Sequence, residues 1–316
     1  MKPQNIIAKI RANIKKKDCE CLFSDCENKS INSHLIQRNG ILSNISIDGH
    51  LYELKVIDVN KFGKEKYPIN FKKLGIKQAL SYKLFCNKHD TNLFKNIENT
   101  QSNYESYESF ILFSYRALCC ELRKKETGIE ENTRILNSRS LIGKIDKYII
   151  ESYKIGYEAG IKDLIVMKRI FEREMKSPKN SFTFFSFKLP KIEIYASSIF
   201  NTEDINQSSG LDKLDLENLY IHIIPNRTET LVLIGYHNEY TSEKIINYCK
   251  SWKDISKSEF EYKLSSLFIH NIENWGISPT LYENLKRENK QKYIDLVLDK
   301  INNYGIANDN SFNLFE

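Results

Sequence analysis

Two pairs of potential metal ligands lie far apart in the chain. Cys21 and Cys26 are separated by four residues in "CLFSDC", and Cys86 and His89 are separated by two residues in "CNKH". Thiolate and imidazole groups suit Zn²⁺, and structural zinc sites are commonly built from two such short segments. The spacing therefore predicts one structural Zn²⁺ held by these four side chains. Cys19, in "CEC", is an alternative to Cys21.

The cysteine content also allows a plainer interpretation. The chain has 7 cysteines, an odd number without a regular framework, which favours a reducing compartment where thiols are ligands or core residues. Buried core cysteines are therefore the alternative to a zinc site. For Cys119 and Cys120, adjacent in an apolar helical segment, core packing is the prediction.

Composition and charge limit the class of protein. A chain of 316 residues with 41% hydrophobic content can bury a sizeable core, and its length allows two domains. It has no run of roughly 18 to 20 apolar residues for a membrane span, and charges interrupt "MKPQNIIAKIRANIKKK" where a signal peptide would be apolar. We expect a cytoplasmic protein without a membrane partner.

The positive charge is concentrated in the first third of the sequence. Residues 1–100 contain 18 Lys or Arg and 10 Asp or Glu, a net charge of +8, so the remainder carries −2. Such a region suits a polyanion, because cationic side chains near phosphates release counterions. A solvated basic surface without a partner is the alternative.

A further histidine lies between the two ligand pairs, in "SINSHLIQ". A cysteine knuckle is followed by a strand that bears His34 and then by a second knuckle that opens a helix. Over residues 19–98 this arrangement resembles the zinc-containing HNH, or ββα-metal, endonucleases. The resemblance implies that His34 is the general base and that Asp90 binds a catalytic Mg²⁺ or Mn²⁺. Ser33 stands where an Asp is frequent in that family. His50, in "DGHLY", is a second imidazole that could orient substrate or supply the missing ligand.

Three functions remain open at this stage. The resemblance implies a metal-dependent endonuclease with an HNH-like active site, cleaving DNA in preference to RNA, in a context of bacterial antiviral defence. Ser33, and the lack of an Asn about six residues before Cys86, favour a non-catalytic zinc-containing nucleic-acid-binding or sensor protein instead. The third possibility is an adaptor that forms a homo-oligomer, or binds a partner protein, through its helical and C-terminal regions.

These residues need a scaffold, and the apolar periodicity predicts an α+β fold. The N-terminal part should contain a basic helix over residues 4–17, a β-hairpin over 41–59, an exposed loop or ribbon insertion over 60–74 and a helix over 87–98. The central part should be a helical hairpin over 104–176 that turns near Thr127 and Gly128.

A turn-rich break at 177–180 precedes four short aromatic and β-branched runs, which predict an antiparallel sheet with helices after it. His222, in the third run, is predicted to face solvent or to cap a strand. The predicted organisation is a zinc-stabilised ββα-type module (1–100), a long helical region (101–176) and an α+β domain (177–316).

Overall fold

A computed structural model describes residues 2–56, 69–99, 102–201, 214–302 and 312–316. The chain combines helices with antiparallel sheets, which confirms the predicted α+β class. The strands of the described residues are β1 (Asn32–His34), β2 (His50–Val56), β3 (Ile69–Gly75), β4 (Ser81–Lys83), β5 (Phe182–Pro190), β6 (Ile194–Phe200), β7 (Leu219–Pro225), β8 (Glu229–His237) and β9 (Trp275–Ile277).

One seven-stranded sheet crosses most of the molecule, in the order β3-β2-β9-β6-β7-β8-β5 with antiparallel neighbours throughout. Strands β6 and β7 are buried along their whole length because both faces of the sheet are covered there. Successive side chains point to opposite faces: Tyr220 and Leu233 enter one hydrophobic core, and Ile221 and Ile234 enter the other.

The principal helices are α1 (Pro3–Lys16), α2 (Ser43–Ile45), α3 (Asn87–Phe94), α4 (Tyr107–Leu136), α5 (Lys147–Lys176), α6 (Glu243–Lys250), α7 (Lys257–His270), α8 (Pro279–Asn284) and α9 (Arg287–Asn302). Side-chain caps define where the long ones begin. Ser106 accepts a hydrogen bond from the backbone of Ser109 at the start of α4, and Asp146 accepts from Tyr148 at the start of α5, satisfying amide groups that lack intrahelical partners.

Helices α4 and α5 form the predicted helical hairpin and cover one face of the sheet. Residues 109–120 of α4 are buried without interruption, because α5, the sheet and the N-terminal elements surround this helix. Gly235 of β8 allows the close approach, since a Cβ there would collide with Phe110 of α4 and the backbone of Phe184. The C-terminal helices pack against the other face.

A small ββα unit carries Cys86 and His89. Strands β1 and β4 pair antiparallel, with His34 opposite Ser81, and α3 follows β4 directly. Strands β2 and β3, which separate β1 from β4 in the sequence, belong to the large sheet instead. The large sheet therefore takes strands from both sides of the sequence positions predicted as domain boundaries.

Two local predictions differ from the structure, and a third agrees in one of its two forms. Residues 38–45 are helical, so the hairpin predicted over 41–59 is wrong; β2 pairs with β3 instead, although the turn at Asp48 and Gly49 exists. Of the loop or ribbon insertion predicted over 60–74, residues 69–74 belong to strand β3, as a ribbon would, and residues 60–68 lie outside the described residues. Helix α4 continues through Gly128 to Leu136, because its side chains remain packed against α5 beyond that glycine.

Candidate metal centre

The four predicted zinc ligands converge on one point. The Sγ atoms of Cys21, Cys26 and Cys86 and a ring nitrogen of His89 all lie within 4.8 Å of one another. The Nδ1 atom of His89 lies 3.4 Å from the sulfurs of Cys21 and Cys86, and the sulfurs of Cys26 and Cys86 are 3.8 Å apart. This cluster could hold a metal ion.

Three of the separations within the cluster agree with a tetrahedral zinc site. With Zn–S of about 2.3 Å and Zn–N of about 2.0–2.1 Å, a regular tetrahedron has edges of about 3.8 Å between two sulfurs and about 3.5 Å between sulfur and nitrogen. The observed separations in the cluster are 3.8 and 3.4 Å. The donor set and its spacing are therefore compatible with structural zinc.

The backbone is arranged to bind thiolates. Burial raises the pKa of Cys21 to about 11, opposed by amide hydrogen bonds from Cys86 and Phe23. The amide of Asn28 lowers the pKa of Cys26 below its ordinary value. Burial and then the nearby Lys88 charge lower the pKa of His89, which keeps the ring neutral, the form that coordinates metals. A cation in the cluster would replace protons on the buried sulfurs.

The cysteine loop is fixed to the helical hairpin through a partly buried carboxylate. Glu172 of α5 accepts hydrogen bonds from the Ser24 amide (3.1 Å) and hydroxyl (2.5 Å), from Tyr115 (2.6 Å) and from Lys168 (2.7 Å). Burial opposes its ionisation, but these hydrogen bonds together hold the pKa of Glu172 below its ordinary value. The loop between Cys21 and Cys26 is thus held at its centre by α5.

Cys19, the alternative ligand, lies outside the cluster. Its sulfur lies 3.9 Å from the carbonyl oxygen of Lys17 and has no place among the four converging ligand atoms. The other cysteines predicted as core residues, Cys119 and Cys120, are fully buried in α4, which confirms that prediction.

The predicted base His34 ends strand β1 beside a buried arginine. Burial lowers the pKa of His34, as do the charges of Arg38 and Arg116, whereas Glu98 and a hydrogen bond to the Lys77 backbone raise it. The Nε2 atom is buried and has no hydrogen-bond partner among the described residues. A neutral imidazole with a free nitrogen can accept a proton at neutral pH.

The predicted cation ligand Asp90 faces the same arginine. Its carboxylate lies in the first turn of α3, directly after His89, and is 3.6 Å from a terminal nitrogen of Arg116. Within the described part of the chain, no converging group of three or more Cys, His, Asp or Glu includes Asp90. Catalytic Mg²⁺ is usually held by one or two carboxylates together with waters and substrate phosphates. Asp90 is already paired with Arg116, and its role as a cation ligand stays a prediction.

The remaining predicted site residues lie elsewhere. His50 begins β2 in the large sheet, where its Nδ1 atom lies 2.7 Å from the Asp48 carbonyl; its catalytic role stays a prediction. Ser33 is fully buried and accepts a hydrogen bond from the Phe85 amide, so its hydroxyl serves the ββα unit.

Arg116 is the residue that the sequence analysis missed. It is 1% exposed and lies on α4, outside the region of the resemblance. Its terminal nitrogen Nη1 donates to Glu98 at 2.6 Å, and its guanidinium carbon lies 3.8 Å above the ring centre of Phe94. The available signal was an arginine inside the apolar helical run "FILFSYRALCC", since a buried charge requires a partner.

His222 is also placed differently from its prediction. The side chain is fully buried between α4 and the sheet, with its ring nitrogens 3.0 Å from the hydroxyls of Ser114 and Ser197. Burial lowers its pKa to about 3. Alternation with apolar neighbours suggested solvent exposure, but both faces of this sheet are covered, so the prediction was wrong.

Comparisons with protein-family models, with curated proteins and with solved structures found no match to this chain. No helix in the described ranges is both long enough and apolar enough to cross a membrane.

Proposed function

We propose that the protein is a phosphodiester hydrolase of HNH-like type, stabilised by structural zinc, that cleaves nucleic acid and prefers DNA to RNA. The observation that carries the proposal is the Cys/His cluster beside the ββα unit, which carries His34 on β1 and Asp90 on α3. Asp90 follows the cluster residue His89 and lies 3.6 Å from the buried Arg116. Antiviral defence is the biological context implied by the resemblance.

Each group has a distinct role in this proposal. Zinc bound by Cys21, Cys26, Cys86 and His89 would hold the cysteine loop against α3 and so fix the position of Asp90. His34 would accept a proton from the water that attacks phosphorus, a contribution of about 10²- to 10⁴-fold to the rate. The P–O bond to the leaving alkoxide breaks in the same displacement, and the protonated His34 would return its proton to that oxygen or to solvent. No step is assigned to a catalytic Mg²⁺ or Mn²⁺, because Asp90 is paired with Arg116.

Cleavage assays test the proposal directly. Supercoiled plasmid and a labelled RNA are incubated with zinc-loaded protein, with and without Mg²⁺ or Mn²⁺. We expect the wild type to cut the plasmid and His34→Ala to be slower by about 100-fold or more. His270→Ala, a histidine on α7 in the C-terminal part, is the control and should retain the wild-type rate. No cleavage by the wild type, or equal cleavage by His34→Ala, refutes the hydrolase.

A zinc-containing nucleic-acid-binding protein without turnover is the second candidate. Ser33 favours it, since it stands where an Asp is frequent in the resembled family and its buried hydroxyl accepts a hydrogen bond from the Phe85 amide. Helix α1 would supply exposed positive charges at Lys9, Lys15 and Lys16, whereas Lys17 is paired with Glu130 of α4. Replacing one of these exposed lysines should reduce the dependence of log K on log salt by about one, with no cleavage in any variant.

A further inference from the structure

We infer that Arg116 is the phosphate ligand of the His34 site, and that Glu98 occupies its guanidinium until a phosphate replaces it. The inference rests on the proposed function in taking a nucleic-acid phosphodiester as the ligand. It adds a residue of helix α4 to a site whose other residues belong to the N-terminal region.

The surroundings of Arg116 leave its hydrogen bonding incomplete. One terminal nitrogen donates to Glu98 at 2.6 Å and the other lies 3.6 Å from Asp90. The Nε atom is buried and has no hydrogen-bond partner among the described residues. Because an unmade buried hydrogen bond is costly, this unused donor of the guanidinium indicates a ligand that accepts hydrogen bonds, as a phosphate oxygen does.

Glu98 is suited to leave this position. Its side chain is 37% exposed, whereas that of Arg116 is 1% exposed and fixed over Phe94. The carboxylate can therefore turn into solvent while the guanidinium stays. Arginine binds carboxylate and phosphate with the same planar fork, so the Glu98 carboxylate stands in for phosphate oxygens.

The charges around the site are balanced for such an exchange. Arg116 and Arg38 act on His34 as positive charges, and Asp90 and Glu98 are the nearby carboxylates. Replacing the Glu98 carboxylate by a phosphodiester, which also carries one negative charge, keeps this balance. A divalent cation would instead add positive charge beside a fixed guanidinium.

Oligonucleotide binding without divalent cations tests the inference. Fluorescence anisotropy of a labelled DNA duplex gives the Kd of zinc-loaded His34→Ala protein, which prevents cleavage during the measurement. Adding Glu98→Gln should tighten binding several-fold, because the competing carboxylate is lost. The matched control is Glu108→Gln, an exposed carboxylate that accepts from Asn96 instead of Arg116, which should change Kd little.

Replacement of the arginine gives the opposite result. Arg116→Lys keeps the charge but loses the planar fork, so Kd should rise about tenfold. Arg134→Lys, on the same helix and paired with Glu130, is its control. Thermal unfolding checks the fold of each variant. If Arg116→Lys unfolds, the Glu98→Gln variant still tests the inference, because Glu98 is partly exposed and its replacement should leave the fold intact.

The inference is overturned if Glu98→Gln binds no more tightly than Glu108→Gln, or if none of the proteins binds the duplex. The phosphate-ligand inference and the hydrolase proposal can fail independently of each other. Tighter binding by Glu98→Gln in a protein that never cleaves supports the phosphate ligand and rejects catalysis. Cleavage lost in His34→Ala, with no effect of Glu98→Gln on Kd, keeps catalysis and rejects the phosphate ligand.

Discussion

Cys86→Ser removes one ligand of the metal cluster while changing a single atom. Cys86 is buried and precedes the first turn of α3. Its sulfur lies 3.8 Å from the sulfur of Cys26 and 3.4 Å from the Nδ1 atom of His89. Structural zinc contributes roughly 10–16 kcal/mol in small zinc-finger peptides. If one ligand in four carries a quarter to a third of that free energy, its loss costs about 3–5 kcal/mol.

This free energy corresponds to a measurable change in melting temperature. With about 2.1 cal/mol/K of unfolding entropy per residue, a chain of 316 residues has about 0.66 kcal/mol/K in total. A loss of 3–5 kcal/mol therefore lowers Tm by about 5–8 °C. Cys19→Ser is the matched control, because Cys19 lies in the same segment but outside the cluster.

Elemental analysis and thermal unfolding of the purified proteins provide the assay. Wild type and Cys19→Ser should contain one zinc per chain and melt together, and a strong chelator should lower both melting temperatures. Cys86→Ser should contain less zinc and melt lower. Wild-type protein without zinc, combined with a Cys86→Ser melting temperature equal to that of Cys19→Ser, would show that these cysteines are core residues without a metal.

Three further predictions concern stability. The pKa of His222 falls from 6.5 to about 3 on folding. Between these values the unfolded chain binds more protons than the folded chain, so the free energy of unfolding decreases as the pH falls. Urea unfolding at pH 7 and pH 5 should show that His222→Gln removes about 2 kcal/mol of this decrease. Gly235→Ala should cost about 1–3 kcal/mol, measured in the same way, because its methyl group would collide with α4. Glu172→Gln should lower stability by about 1–3 kcal/mol at pH 7. It should also release zinc faster to a chelator, because it weakens the hydrogen bonds that fix Ser24 in the loop between Cys21 and Cys26. Equal release rates in the variant and the wild type would contradict a connection between Glu172 and the metal cluster.

The Cys/His cluster could be predicted because the information is local. Each pair lies within one short segment, and few side-chain types bind zinc. The strands of residues 182–237 could be predicted for a similar reason, since runs of β-branched and aromatic residues fit a sheet. The turn at Asn226 and Arg227 then joins β7 to β8 as expected.

The errors arise where distant contacts decide the structure. Residues 41–47 look like a strand because they are apolar, but Ile41, Leu42 and Ile45 fill the core beside the ββα unit from a helical segment. Gly128 resembles a turn residue, but it lies against Tyr157 of α5 in a continuous helix. Neither partner can be identified from neighbouring residues.

The site near His34 shows the same limit. His34 and Asp90 could be proposed from a motif, but the arginine between them comes from α4. Its role depends on how α4 packs against the N-terminal elements, which periodicity alone cannot specify.

The position of β9 in the large sheet determines when that sheet can be completed during protein synthesis. Strand β2 ends at Val56, but its pairing with β9 requires Trp275–Ile277. At about 5–20 residues per second, the ribosome needs roughly 10 to 40 s to make the intervening chain. During that interval one edge of the β2–β3 pair is exposed to other nascent strands, so chaperone depletion should cause aggregation of newly made protein before it affects the mature molecule.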